Sequence, residues 1–359
     1  MITFRLDNFY MKQALILAKR GKLSVSPNPM VGCVIVKDKE IVGEGWHEYA
    51  GGHHAEINAL LSAGDNSKGS TVYITLEPCC HYGKTGACTD ALIQAGVSKV
   101  VIATLDPNPM ISGNGIKVIE SAGIEVKTGV LSEEAKRLNK IFFHYQTTRM
   151  PYVIAKWGMS LDGEMKVANG DCKQITNRYS QREVHNLRNS IDAIIVGSGT
   201  VNSDNPLLTS RLTESNFIKH PMRVVISSSA RISTESFVFN TNNGLSMLFT
   251  TKKADPKTLL RLRQNNIECI ELSSNSAGLV SVEEVLKILA KKGITSVLVE
   301  GGKALLRAFF SQRMVQEVRV FTAPFVINGF SKKQKVFISK KFFISHDHYC
   351  VGNIQLGGV

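Results

Sequence analysis

The chain has 359 residues, 43% apolar and 20% charged, a length and balance that favour two globular domains over one and exclude a disordered or fibrous chain. No apolar run is long enough to span a bilayer, and Met1 to Asp7 lacks the apolar core of a secretory signal. With seven irregularly spaced cysteines, this leads us to expect a reducing, cytoplasmic setting in which cysteines are metal ligands or core residues. The net charge of +13 is uneven: residues 1–147 carry 15 basic and 14 acidic side chains, and residues 148–359 carry 28 and 16. The near-neutral first half argues against an RNA groove there, whereas the basic second half suits either nucleic acid or a phosphorylated small molecule.

In chain order, Asn8 to Arg20 has the apolar spacing of a helix, stopped by Gly21. Pro27-Asn28-Pro29 is a rigid turn. Val31 to Val36 and Ile41 to Trp46 read as a hairpin around Lys37-Asp38-Lys39-Glu40. A short helix, Glu56 to Ala63, follows the loop Ala50 to His54. Strands are expected at Thr71 to Thr75, Lys99 to Thr104 and Glu125 to Thr128, and helices at Thr89 to Ala95, Gly115 to Ser121 and Glu133 to Gln146. The polar run Thr147 to Met150, closed by Pro151, marks a domain boundary. Beyond it, strands are expected at Tyr152 to Trp157, Ile191 to Val196, Met222 to Ser227, Ser296 to Glu300, Glu317 to Phe321 and within Phe342 to Leu356. Helices are expected at Leu259 to Asn265 and Ala304 to Phe310. The cluster Lys332, Lys333, Lys335, Lys340 and Lys341 reads as a solvated surface.

Chemistry concentrates at His54-Ala55-Glu56, Pro78-Cys79 and Cys88. One imidazole and two thiolates suit zinc and leave a fourth position open. A His-x-Glu followed by Pro-Cys-x-x-Cys is the pattern of the zinc deaminases, in which the glutamate lies outside the metal shell and carries protons; here the second cysteine departs from it, nine positions on at Cys88 and not three. Side chains two apart diverge on a helix flank, so His54 and Glu56 can serve one ion only if the helix end faces it. His53, Cys80 and His81 are rival ligands, but a fourth protein ligand would close the site. Glu77 could compete for Glu56's role and reads better as a structural hydrogen-bonding group. Cys33, inside a strand, reads as core.

Over essentially its full length the chain resembles the bifunctional deaminase/reductase family of riboflavin biosynthesis. The runs that carry this in the first half are Pro27-Asn28-Pro29-Met30-Val31-Gly32, Gly43-Glu44-Gly45-Trp46-His47, His54-Ala55-Glu56, Thr75-Leu76-Glu77-Pro78-Cys79 and Asp106-Pro107-Asn108-Pro109. In the second half they are Lys156 to Gly163, Gly199-Thr200-Val201, Asp204 to Thr209 and Val299-Glu300-Gly301-Gly302. The nine-residue step from Cys79 to Cys88 is this family's. The resemblance implies a cytidine deaminase-like three-layer α/β domain over 1–147 and a dihydrofolate reductase-like α/β domain over 148–359. The first would hydrolyse the 2-amino group of 2,5-diamino-6-(5-phosphoribosylamino)pyrimidin-4-one with one zinc per chain. The second would use NADPH to reduce the ribosyl group of the deaminated product to ribityl.

The same resemblance implies the site residues. Zinc would be held by His54, Cys79 and Cys88, with Glu56 catalytic. Asn28, His47, His81, Lys84, Asp106 and Asn108 would meet the deaminase substrate. Gly158, Gln174, Thr200, Asp204, Ser228, Gly302, Lys303, Ala304, Leu305, Leu306, Arg307 and Ala308 would meet NADPH. Cys172, Arg188, Leu208, Arg211 and Glu300 would meet the reductase substrate, Arg188 and Arg211 at its phosphate. Lys156 aligns with a polar position of the family's motif, with a snorkelling strand lysine as the equal reading. The partners implied are phosphorylated pyrimidines and further copies of the chain, a dimer or tetramer, with neither nucleic acid nor membrane. One departure stands out. Where the family has Ser-x-Trp, this chain has Cys172-Lys173-Gln174; Gln174 cannot stack on a cofactor ring, and Cys172 is a weaker donor than a hydroxyl. Two other readings remain open at this point: a nucleoside or tRNA deaminase with an inert second half, and a non-enzymatic protein with a closed structural zinc.

Overall fold

A computed structural model describes residues 2–81, 86–108, 111–165, 178–212, 218–323, 343–344 and 347–353. Lys84, Cys172, Gln174 and the lysine cluster near the end lie outside the described residues. The chain divides into two compact units, Met1–Arg149 and Met150–Val359.

The first unit runs α1 (Ile2–Ala18), β1 (Gly32–Lys37), β2 (Glu40–Trp46), α2 (Ala55–Ala63), β3 (Thr71–Ile74), α3 (Cys88–Gln94), β4 (Lys99–Ile102), α4 (Asn114–Ser121), β5 (Glu125–Thr128), α5 (Ser132–Leu138) and α6 (Lys140–Thr148). Its sheet has the order β2-β1-β3-β4-β5, antiparallel about β1 and parallel from β3 onward. Both faces are covered. Cys33 and Ile35 pack with Ala55 and Ala59 of α2 and with Leu92 and Ile119. The alternate residues Val34 and Val36 pack with Met11, Ala14 and Leu15 of α1. A strand buried on both sides reads as an unbroken apolar run, which is what Val31 to Val36 shows.

Two details differ from the sequence expectation. The hairpin turn is tighter: Lys37 pairs with Glu40, and Asp38 and Lys39 alone make the turn at φ 52° and 67°, the primed geometry that matches strand twist. The single helix expected over Glu133 to Gln146 is two. The break is at Asn139 (φ −104°, ψ 23°), whose side-chain amide accepts the Met30 N–H and donates to the Met30 carbonyl, at 2.8 Å each.

Gly45 sets how closely α2 lies on β2. A Cβ there would stand 2.4 Å from the Ala55 carbonyl oxygen, backbone that cannot step aside. Gly45→Ala is therefore expected to destabilise the unit by about 1–3 kcal/mol. It should also lower zinc content, because α2 carries His54 and Glu56 at its start. Denaturant midpoint and metal analysis of the purified variant check this.

The second unit runs β6 (Tyr152–Ser160), α7 (Arg178–Asn189), β7 (Ala193–Gly197), α8 (Ser198–Asp204), β8 (Met222–Ile226), β9 (Ser246–Thr251), α9 (Pro256–Gln264), β10 (Glu268–Leu272), α10 (Val282–Lys291), β11 (Ser296–Glu300), α11 (Lys303–Ser311), β12 (Glu317–Ala323), β13 (Phe343–Ile344) and β14 (Asp347–Asn353). The sheet order is β10-β9-β8-β7-β11-β6-β12-β14-β13. It is parallel from β10 to β12 and closed by antiparallel β14 and β13. Val153, Ile195, Val224 and Phe249 build its core against Leu286 and Leu289 of α10 and Phe309 of α11. Asp192 ties the start of β11 to β7, accepting from the backbone and hydroxyl groups of both Thr295 and Ser296. Both units thus have the α/β architecture expected from the sequence. Among the described residues no helix is long and apolar enough to cross a membrane.

Candidate active sites

His54 is the N-cap of α2 and Glu56 lies in its first turn, so the helix end does face the site, as their spacing requires. Cys79 follows β3, and Cys88 opens α3. The chain thereby brings three donors together: the His54, Cys79 and Cys88 ligand atoms lie within 4.8 Å of one another. His54 Nδ1 stands 3.2 Å from Cys88 Sγ and 3.5 Å from Cys79 Sγ. Donors of a tetrahedral zinc are spaced about 3.5–3.8 Å apart, so this set fits zinc in chemistry and in span. The rivals His53, Cys80 and His81 are not in the cluster, which has three members among the described residues.

The protein alone already prepares a thiolate. The Cys88 hydrogen bond, with help from His54, pulls the Cys79 pKa down to about 4. The same bond and burial push the Cys88 thiol up, and its bond to Cys79 raises His54. A dication would draw off the remaining proton, since ligation and deprotonation are linked. Absorption spectroscopy is expected to show two sulfurs and one nitrogen from the protein on one zinc, and Cys88→Ala to leave the purified protein essentially zinc-free.

Glu56 is buried. Burial and the Cys79 charge raise its pKa to about 7, where a carboxyl group can both take and give a proton near neutrality. Glu77 has another task. Its carboxylate accepts from the backbone N–H groups of Asp106 (3.1 Å), Gly113 (3.0 Å) and Gly115 (3.0 Å), which ties the segment after β4 to the start of α4 beside the metal ligands. Gly115 is obligatory there, because a Cβ would stand 2.2 Å from the Pro78 carbonyl oxygen.

The expected deaminase substrate residues form two groups around the cluster. His47 is buried and bonds the His53 carbonyl through Nδ1 (2.9 Å). Its Nε2 meets the Asn28 side-chain amide at 3.0 Å, and its ring meets that of His54 edge-on with centroids 5.5 Å apart. Burial, reinforced by His54, lowers the His47 pKa, so Nε2 is the acceptor and the Asn28 amide is oriented by it. Asp106 accepts the Asn108 N–H at 2.8 Å, and burial raises its pKa. Sequence reading missed Asn139, whose pair of hydrogen bonds to the Met30 backbone fixes the strand entry two residues after Asn28.

In the second unit a cavity of about 490 Å3 opens beyond the carboxyl ends of β6, β7 and β11, the side on which open α/β sheets bind ligands. Gly158, Thr200, Asp204, Arg188, Leu208, Glu300, Gly302 and Lys303 of the expected residues line it, together with Lys156. Ser228, Arg211 and Ala304 to Ala308 do not. Ser228 Oγ accepts the Val280 N–H instead, and Leu305 and Leu306 are buried in the hydrophobic core. Their expected place at a cofactor is thus limited to what the start of α11 offers from its backbone. The residues present still fit a dinucleotide. Glycines 158, 301 and 302 leave the backbone approachable, and the Thr200 hydroxyl accepts the Gly302 N–H at 3.1 Å, which orders the β11–α11 turn.

Glu300 and Arg188 form the charged floor of this cavity. Arg188 Nε and Nη2 donate to the two Glu300 oxygens at 2.8 and 2.9 Å, Lys156 Nζ adds a bond at 3.3 Å, and Arg188 Nη1 reaches the Thr209 carbonyl at 3.3 Å. Burial alone would raise the Glu300 pKa, but Arg188 and Lys156 overrule it and hold it at about 2. Arg188 is thus committed to Glu300, and Arg211, exposed nearby, is the more available arm for a phosphate.

Comparison with known proteins matches both halves of the chain. Residues 5–104 match the family profile of the cytidine and deoxycytidylate deaminase zinc-binding region, and residues 151–340 match that of the RibD C-terminal domain. The riboflavin biosynthesis protein RibD of Bacillus amyloliquefaciens is 40% identical over 90% of this chain and 86% of its own length. That of Escherichia coli is 39% identical over 89% and 88%. Among solved structures, Acinetobacter baumannii RibD superposes with a TM-score of 0.85 at 33% identity, over 98% of this chain and all of the other. A diaminohydroxyphosphoribosylaminopyrimidine deaminase/5-amino-6-(5-phosphoribosylamino)uracil reductase from Thermotoga maritima gives 0.81 at 37%, over 97% and 98%. The chain belongs to the RibD family of bifunctional, zinc-binding deaminase and NADPH-dependent reductase enzymes of riboflavin biosynthesis.

Proposed function

We propose that the two activities are divided between the two units. The first would deaminate 2,5-diamino-6-(5-phosphoribosylamino)pyrimidin-4-one, and the second would reduce the resulting 5-amino-6-(5-phosphoribosylamino)uracil to its ribitylamino form. The observation that carries this reading is the three-donor cluster with a buried carboxyl group beside it: enough ligands to hold an ion, and one proton carrier outside them.

Zinc held by His54, Cys79 and Cys88 supplies the pull that makes water acidic near neutral pH. Glu56 would accept one proton at its carboxylate and pass it to the ring nitrogen of the pyrimidine; the second, taken from the added hydroxyl as the carbonyl forms, would go to the departing amine, which leaves as ammonia. Asn28, its amide oriented by His47, presents its remaining amide groups to the pyrimidine edge. Asp106 and Asn108, beside the carboxylate of Glu77, would meet the sugar phosphate together with His81 and Lys84.

In the second unit NADPH supplies the hydride. There the chain's work is alignment and charge. Thr200, Asp204, Gly302 and Lys303 hold the cofactor end of the cavity. Ionised Glu300 offers its free lone pairs to sugar hydroxyls, Leu208 walls the sugar, and Arg211 takes the phosphate. The split of charge between the halves supports this, because a dinucleotide and a sugar phosphate both fall to the basic half. We place the enzyme in the cytoplasm, where thiolate ligands stay reduced, as a homo-oligomer whose mass light scattering would give. The decisive assay supplies the diaminopyrimidinone phosphate and follows ammonia release first and NADPH oxidation second. Ammonia without later oxidation would remove the second half of the reading.

A further inference from the structure

The segment from Leu208 to Arg211 has an unusual backbone and an unusual support. Leu208 lines the reductase cavity at φ +56°, a left-handed conformation that costs a branched residue roughly 1–2 kcal/mol and persists only where its surroundings impose it. Little within the segment does so. Among the described residues the Ser210 hydroxyl is buried without a partner, and the side-chain bond from Arg211 Nη1 to Thr209 Oγ1 is long at 3.5 Å.

The support comes from α7. His185 and Arg188 are three residues apart and share a face of that helix. Arg188 Nη1 donates to the Thr209 carbonyl. His185 Nδ1 accepts the Arg211 N–H at 3.3 Å. Two neighbouring side chains thus tie Thr209 and Arg211, on either side of Ser210, to one helix. The accepting nitrogen must carry no proton, and burial, Arg188 and Arg211 together lower the His185 pKa to about 4. A neutral ring also adds no third positive charge beside the two arginines.

We propose that His185 is a positioning residue of the reductase: it holds Thr209–Arg211 against α7, which keeps Leu208 in the cavity wall and aims Arg211 at the substrate phosphate. This rests on the reading of that cavity given above. The test uses the full chain and steady-state reduction of 5-amino-6-(5-phosphoribosylamino)uracil by NADPH, with ammonia release by the same preparation as the control. His185→Leu keeps bulk and removes the acceptor. His185→Asn restores an acceptor at about the reach of Nδ1. The expected result is a KM raised about tenfold or more in His185→Leu, kcat within about threefold, KM largely restored in His185→Asn, and unchanged ammonia release in both. An unchanged KM in His185→Leu would overturn the proposal, and so would a fall in kcat with no recovery of KM in His185→Asn. If Arg211→Ala also leaves KM unchanged in an active chain, the reading of the cavity fails with it; if Arg211→Ala raises KM and His185→Leu does not, only this inference fails.

Discussion

Glu56→Gln is expected to abolish ammonia release, by about two to four orders of magnitude, while zinc content stays at that of the parent chain. The substitution keeps the shape of the side chain and removes its capacity to carry a proton. Glu56 is not one of the three clustered donors, so the ion should remain. NADPH oxidation on the deaminated substrate should continue at the parental rate, because the reduction draws on residues of the other unit. Loss of zinc with loss of activity would instead make Glu56 a structural or ligating group. Loss of both activities would break the assignment of one reaction to each unit.

Glu300→Gln is expected to be the most destabilising single change in the second unit, at about 3–5 kcal/mol. It leaves Arg188, 9% exposed, with its charge buried and its two strongest bonds weakened. The pH dependence gives the same scale. An ordinary glutamate titrates near 4.5, and Glu300 is held at about 2, so the unfolded chain binds the proton more readily and stability rises with pH through this window. The contribution, about 3 kcal/mol by the linkage of a pKa difference to stability, is fully present above pH 4.5 and is lost as the pH falls towards 2. Urea unfolding of the full chain from pH 2 to 7 should show this slope, and the variant should flatten it. A variant as stable as the parent at neutral pH would mean that the ion pair contributes nothing net.

What the sequence disclosed follows the range of the interactions. Helix and strand positions rest on local periodicity, and Thr71 to Ile74, Glu125 to Thr128 and Ser296 to Glu300 lie where the pattern put them. The metal cluster was readable because His54 and Glu56 are neighbours and the Pro-Cys step is distinctive. The constraint that α2 must face the ion end-on came from spacing alone. Asn139 was not readable: its effect is on Met30, 109 residues away, and nothing local marks a helix that breaks to satisfy a distant backbone. The Arg188–Glu300 pair spans 112 residues and was read as two separate substrate contacts, whereas the fold makes each the other's partner. Amphipathic α10 offered a clear local pattern that the reading passed over. Leu208 could not have been foreseen, since leucine is among the last residues expected at positive φ.

The pair of hydrogen bonds between the Asn139 side chain and the Met30 backbone sets a lower limit on any attempt to dissect this enzyme. The matched deaminase profile ends at residue 104, yet a fragment cut there would strand the Met30 amide and carbonyl and release the turn that carries Asn28. Such a fragment is expected to retain metal donors while losing grip on its pyrimidine. Dissection should therefore respect the last two helices of the first unit, whose contribution to recognition is made from behind, through main chain rather than through contact with the ligand.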